Sequence, residues 1–198
     1  MTGSARDSIL AALRAARPPA APLPDAGPGI RYADPAAQFA EAVAAAGGAC
    51  LRVPDLAAAS AALPGLPCFR GASRIASLVP GLGAPNVDLS AIATPHGLEG
   101  IDVAILPGEI AVAENGAVWV EGDRLGPHRA IFVLPQHLVV VVPASGLVHE
   151  MHQAYQRLRF DPPRFGLFLA GPSKTADIEQ VLVVGAHGAR SATVLLVG

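Results

Sequence analysis

Cysteine and lysine are nearly missing from this chain, and each scarcity excludes something. The 198 residues include two cysteines, Cys50 and Cys68. An iron–sulfur cluster ordinarily takes four thiolates, so these two do not form a cluster site by themselves. A disulfide between them stays open, although free, buried thiols are the commoner state in a domain with no other staple. Lysine occurs once, as Lys174, and the other positive charges are scattered arginines. There is no basic arm. With a net charge of -2, the chain also lacks a bulk field for nucleic acid or an anionic membrane. Charge is sparse at 15%, but 52% of residues are hydrophobic, which argues for a core rather than disorder. No apolar run approaches the roughly 20 residues of a membrane span, and the first residues lack a signal-peptide core. A cytoplasmic location with no membrane span is therefore the expectation. Several motifs are also missing: a GxGxxG turn after a strand, a Walker loop and HExxH. Gly81 and Gly83 lie in PGLGAP, where flanking prolines deny a helix start. No intrinsic cofactor or metal site is evident.

What is plentiful is alanine, glycine and proline, and the last two punctuate the chain. Residues 4 to 17 space Ile9, Leu10 and Leu13 as a short helical face, with Ser4 as its cap. Pro18 to Gly29 is too rich in proline and glycine for regular structure and reads as a linker or surface strap. Residues 1–30 are thus a helical appendage and linker, and 31–198 one domain. Asp34 caps the next helix, Pro35 suits its first position, and Phe39 and Val43 share its inner face. ACLRV, Ala49 to Val53, is a strand, and LPCFRGAS a second strand and turn. VDLSAIA, EIAVAE and AVWVEG follow as strands, the last two joined by Asn115-Gly116, a strong hairpin signal. HLVVVVP, His137 to Pro143, reads as a strand buried on both faces. GLVHEMHQAYQRLR is a helix, FGLFLAG a buried strand, SKTADIEQVLVVG a helix and ATVLLV a closing strand. That alternation predicts an α/β fold with a mostly parallel central sheet flanked by helices.

The segment from Gly171 to Glu179 supports two readings. Structurally, Gly171 and Pro172 end a strand, Ser173 or Thr175 caps a helix, and Asp177 and Glu179 suit its first turn. Functionally, a loop at the carboxyl end of a parallel strand is where open α/β sheets bind ligands. Gly171, Ser173, Lys174, Thr175 and Asp177 would then hold a small carboxylate, with Lys174 as counter-charge. His187, in Gly185-Ala186-His187-Gly188, is either a general base or a turn-fixing side chain. His149 and His152 are three apart on the expected helix, but a metal pair there wants a third ligand that the sequence does not supply. Glu114, before the hairpin turn, is a catalytic or contact candidate.

Three segments carry a resemblance: AENGA (113–117), LPQHLVVVVPASGLV (134–148) and GPSKTADIE (171–179) followed by GAHG (185–188). In this order they resemble the LUD-domain family, in particular its lactate-utilization protein C (LutC/YkgG) group, well over 85–198 and loosely before. The resemblance implies that 31–198 is a LUD domain with a NagB/RpiA/CoA-transferase-like fold. It implies a cluster-free subunit that works with iron–sulfur partner proteins in oxidising L-lactate to pyruvate. The family pattern places threonines around the glycine of the first segment. Here Asn115 and Ala117 stand instead, which weakens any hydroxyl role but leaves Glu114 and Gly116. The ENG triplet also resembles the glutamate motif of CoA transferases, where the carboxylate is the nucleophile. A stand-alone acyl- or CoA-transferring enzyme using Glu114 is therefore the alternative, and an assembly or regulatory module a third.

Overall fold

The computed structural model describes residues 4–22, 24–25, 27–160, 165–176 and 181–198. In chain order its strands are β1 (Ala49–Val53), β2 (Ile75–Ser77), β3 (Val103–Pro107), β4 (Ile110–Val112), β5 (Ala117–Glu121), β6 (His137–Pro143), β7 (Leu147–Val148), β8 (Gly166–Leu169), β9 (Lys174–Thr175), β10 (Val183–Val184) and β11 (Ser191–Val197). Its helices are α1 (Ala5–Ala15), α2 (Pro35–Ala45), α3 (Leu56–Ala62) and α4 (Met151–Arg157).

The centre is a five-stranded sheet in the order β1-β11-β6-β3-β2, with every pairing parallel. The run of valines in β6 is explained by its place there. Leu138, Val140 and Val142 pack on one face, while Val139 and Val141 pack on the other. Burying such a side chain contributes roughly 1.5–3 kcal/mol, so this strand alone supplies much of the core. The first face is covered by Phe39 and Val43 of α2 and by Ala111, Val118 and Val120 of a second sheet. The other face is covered by Ala59 of α3 with Leu63, Cys68 and Leu82.

The second sheet has the order β7-β4-β5-β8. Alternation along β5 turns Val118 and Val120 toward the central sheet and Trp119 outward, under Ala154 of α4 and Phe168 of β8. The expected hairpin is present: β4 and β5 are antiparallel, joined by Ala113 to Gly116. Asp34 caps α2 as expected, its Oδ1 accepting from Ala36 and Ala37 N–H at 3.0 and 2.9 Å. Ser4 and Asp7 close a capping box on α1, a helix with no buried residue.

Four expectations are corrected. FGLFLAG is the half-buried β8, antiparallel to β5 in the second sheet, and not a strand of the parallel core. The described residues of SKTADIEQVLVVG, 173–176 and 181–185, are not helical. They pair as the antiparallel ribbon β9–β10, because Val183 and Val184 meet Thr175 and Lys174 as extended partners. VDLSAIA forms a short 3-10 turn at Leu89–Ala91 capped by Asp88, not a strand. LPCFRGAS holds a 3-10 turn at Pro67–Phe69, and the strand comes later as β2. β3 and α3 were not foreseen. No described helix is long and apolar enough to cross a membrane.

Candidate functional site

The candidate residues gather around the last turn of α2. On one side stands the β4–β5 hairpin. Asn115 Oδ1 accepts from Ala117 N–H at 3.0 Å and closes the turn. Gly116 has φ +71°, and a Cβ there would sit 2.6 Å from the Val43 amide nitrogen. Only glycine lets the hairpin tip lie against the α2 backbone. The tip and the helix enclose a cleft of about 440 Å³ whose polar walls are Gln38, Glu41, Glu114 and Asn115. Glu114 is tied to the head of α4. Its N–H donates to the His149 carbonyl at 3.0 Å, and its Oε2 accepts from Met151 N–H at 3.0 Å.

On the other side lies the loop after β8. Gly171 has φ +72°, and a side chain there would collide with the Ala46 carbonyl oxygen. Lys174 Nζ donates to that same oxygen, placing its charge at the carbonyl end of α2, where the helix dipole favours a cation. Ser173 N–H donates to the Ala189 carbonyl and Gly185 N–H to the Ser173 carbonyl, both at 2.9 Å. These bonds zip residues 171–173 to 185–189. Between them is a cleft of about 240 Å³ with Phe132, Leu138 and Phe168 as apolar wall and Ser173 and His187 as polar side chains.

This placement corrects the expected geometry. Leu138 is the second residue of β6, and Ala189 lies two residues before β11. The smaller cleft is therefore at the amino edge of the parallel sheet. The reason is that β8 belongs to the second sheet, so the loop leaving it meets the central sheet from the opposite end. Gly171, Ser173 and His187 share this cleft. Lys174 and Thr175 stand beside it in β9, while Glu114 lines the other cleft across α2. Asp177 and Glu179 lie outside the described residues. His149 precedes α4 rather than lying in it, and its Nδ1 accepts from the Tyr32 amide. Among the described residues, no group of three His, Cys, Asp or Glu is placed to hold a metal ion.

Sequence reasoning passed over a pair at the same edge but on the opposite face. His137 and Ser191 begin β6 and β11, face each other in register, and bond Nδ1 to Oγ at 2.8 Å. Partial burial, aided by the Arg190 charge and opposed by Asp102, holds the His137 ring below the usual imidazole pKa. The Asp102 carboxyl is lowered in turn by bonds from the Arg74 and Ser73 amides. No local signal marks this pair, because it exists only through the β6–β11 register. The cysteines are free, with Cys50 against one core cluster and Cys68 in the other, and burial raises both thiols.

A family model described as the LUD domain matches residues 90–197. Lactate utilization protein C of Oceanobacillus iheyensis is 34% identical over 105 residues, covering 50% of this chain and 45% of that protein. The Geobacillus kaustophilus protein of that name is 36% identical over 124 residues, 60% of this chain and 48% of its own. The Bacillus subtilis one is 36% identical over 106 residues, 50% and 43% respectively. The matched part thus spans less than half the length of each of these relatives. A crystal structure of a DUF162 family protein from Deinococcus radiodurans superposes with a TM-score of 0.64 at 18% identity, over 86% of this chain and 100% of that one. That likeness is one of fold.

Proposed function

The chain belongs to the LUD-domain family, and from that premise we propose that it serves L-lactate utilization as the cluster-free subunit of a lactate-oxidising system. The name its relatives share, lactate utilization protein C, supports the pathway. The observation that carries a substrate-facing role is the cleft between residues 171–173 and 187–189, about 240 Å³, with Ser173 and His187 over an apolar wall. A three-carbon hydroxy acid has one methyl for such a wall and a carboxylate and hydroxyl for the polar side chains. Lys174 stands close by at the end of α2 and supplies positive charge.

Oxidising lactate to pyruvate releases two electrons and two protons. In this reading His187 would accept the hydroxyl proton. The chain's thiols, set in core clusters on opposite faces of the central sheet, are not arranged to carry the electrons. The two electrons would pass one at a time to iron–sulfur partner proteins as the oxidant, and the proton from the hydroxyl-bearing carbon would go to water.

A tagged pull-down from native cells grown on L-lactate, read by mass spectrometry and iron content, tests the assembly. Iron–sulfur proteins in fixed ratio are expected. Recovery of the chain alone and iron-free under gentle lysis would sink the subunit reading. In the recovered complex, Ser173→Ala and His187→Ala are expected to lower lactate-dependent reduction at least about tenfold. Unchanged turnover in both would remove the cleft from the chemistry.

A further inference from the structure

The end of the N-terminal strap is fastened to the body by two titratable side chains. Ile30 N–H donates to Glu150 Oε2 at 2.8 Å, and Tyr32 N–H donates to His149 Nδ1 at 3.0 Å. The Tyr32 and His149 rings stack, with centroids 6.2 Å apart and planes 18° from parallel. Gly29 precedes them with φ +72°, and a side chain there would collide with the carboxylate of Glu150, a residue only 8% exposed. What the fastened segment carries is an arm that is lightly held among the described residues: α1 buries no residue, and its Ile9 and Leu13 are 61% and 62% exposed.

An imidazole nitrogen accepts a hydrogen bond only when it carries no proton. The closed strap therefore holds His149 as the neutral ring with its proton on Nε2. A second proton would go to Nδ1 and point at the Tyr32 amide, turning acceptor into donor. We propose that His149 is a proton-operated clasp: the neutral ring holds residues 29–32 on the head of α4, and acidification frees the strap and the α1 arm.

The charged groups around the ring come from four elements. Glu150 and His152 flank it at the head of α4, and Gln153 Oε1 accepts its backbone N–H at 3.0 Å. Glu114 at the hairpin tip donates its N–H to the His149 carbonyl. Arg31 lies between the two fastened strap residues, and Asp34 heads α2. Imidazole is the side chain that changes charge between about pH 5 and 8, which assigns the trigger to His149 rather than to Glu150. Opening would reach the larger cleft, because the residue after Glu150 is Met151, whose amide anchors Glu114. The clasp does not depend on what either cleft binds.

Hydrogen exchange of the full chain at about pH 8 and about pH 5, corrected for intrinsic rates, reads the clasp at the Ile30 and Tyr32 amides. The wild type is expected to lose at least about tenfold of its protection there on acidification while the β6 and β11 amides stay protected. His149→Asn, whose Oδ1 replaces the accepting nitrogen and does not titrate, should stay protected at both pH values. Glu150→Gln should keep the pH dependence. Equal losses in wild type and His149→Asn, or strap amides unprotected at both pH values, would overturn the proposal.

Discussion

Gly116 shows how one missing Cβ joins two elements. Alanine there would place its methyl 2.6 Å from the Val43 nitrogen and 2.8 Å from the Ala42 carbonyl carbon, at φ +71°. Neither backbone atom can move aside without shifting α2. Gly116→Ala is expected to destabilise the fold by about 2–3 kcal/mol, from left-handed backbone strain plus the forced displacement. Urea unfolding measures it, and a loss below about 1 kcal/mol would mean that hairpin and helix part more easily than the packing implies. His137 makes a different residue-scale expectation. Its folded-state pKa lies below the ordinary value. The unfolded chain therefore protonates first as pH falls, so its contribution is complete above about pH 6.5 and is lost as pH drops toward the folded value. His137→Gln should flatten that part of the stability curve between about pH 7 and pH 5. Unchanged curvature in the variant would remove the assignment.

Among the elements, α4 depends on a carboxylate from elsewhere in the chain. Glu114 accepts from the Met151 amide, the first helical residue, in the way a capping side chain does. Glu114→Ala should cost about 0.5–2 kcal/mol, as other lost caps do, and Glu114→Gln less, since an acceptor oxygen remains. If the Glu114→Gln variant folds like the wild type yet stops lactate-dependent turnover, the carboxylate has chemistry beyond its capping bond.

The elements also show what a sequence can disclose. β6 and β1 were legible at their true bounds, and β11 nearly so: β6 and β11, paired on both sides, are nearly continuous apolar runs closed by proline or glycine, and the edge strand β1 is a short run set between Gly48 and Pro54. α2 was legible through Asp34 and Pro35. The segment from Ser173 to Gly185 misled because hydroxyls, acids and apolar residues fall at helical spacing. What decides it is remote: Lys174 reaches Ala46, Ser173 pairs with Ala189 and Gly185, and Val183 finds Thr175. β3 was hidden because only Gly108 and Glu109 separate VAILP from the apolar β4, too short a break to mark two strands of different sheets. Of the candidate site, Ser173 and His187 were legible as residues, but their meeting was not. It follows from β8 joining the second sheet, which no local pattern records.

At the scale of the molecule, two sheets, the β9–β10 ribbon and the helices α2, α3 and α4 of the described residues form a layered body in which α2 is wedged between the hairpin and the loop after β8. The larger cleft is walled by this helix, while the smaller one meets only its end, through Gly171 against the Ala46 carbonyl. The sheet order has a further meaning for how the chain is made. β1 is an edge strand whose partner is β11, and β11 also completes the flank of β6. A ribosome has therefore threaded out well over a hundred residues after β1 before that strand acquires a neighbour, and meanwhile the valine-rich β6 waits with one side open. Pairings so distant in sequence are slow to form and leave sticky intermediates. Nascent chains arrested before Ser191 is added should be cut readily by protease within α2 and β1, whereas the released 198-residue chain should resist. Equal resistance in both would mean that the amino-terminal half holds together before its partner strand arrives.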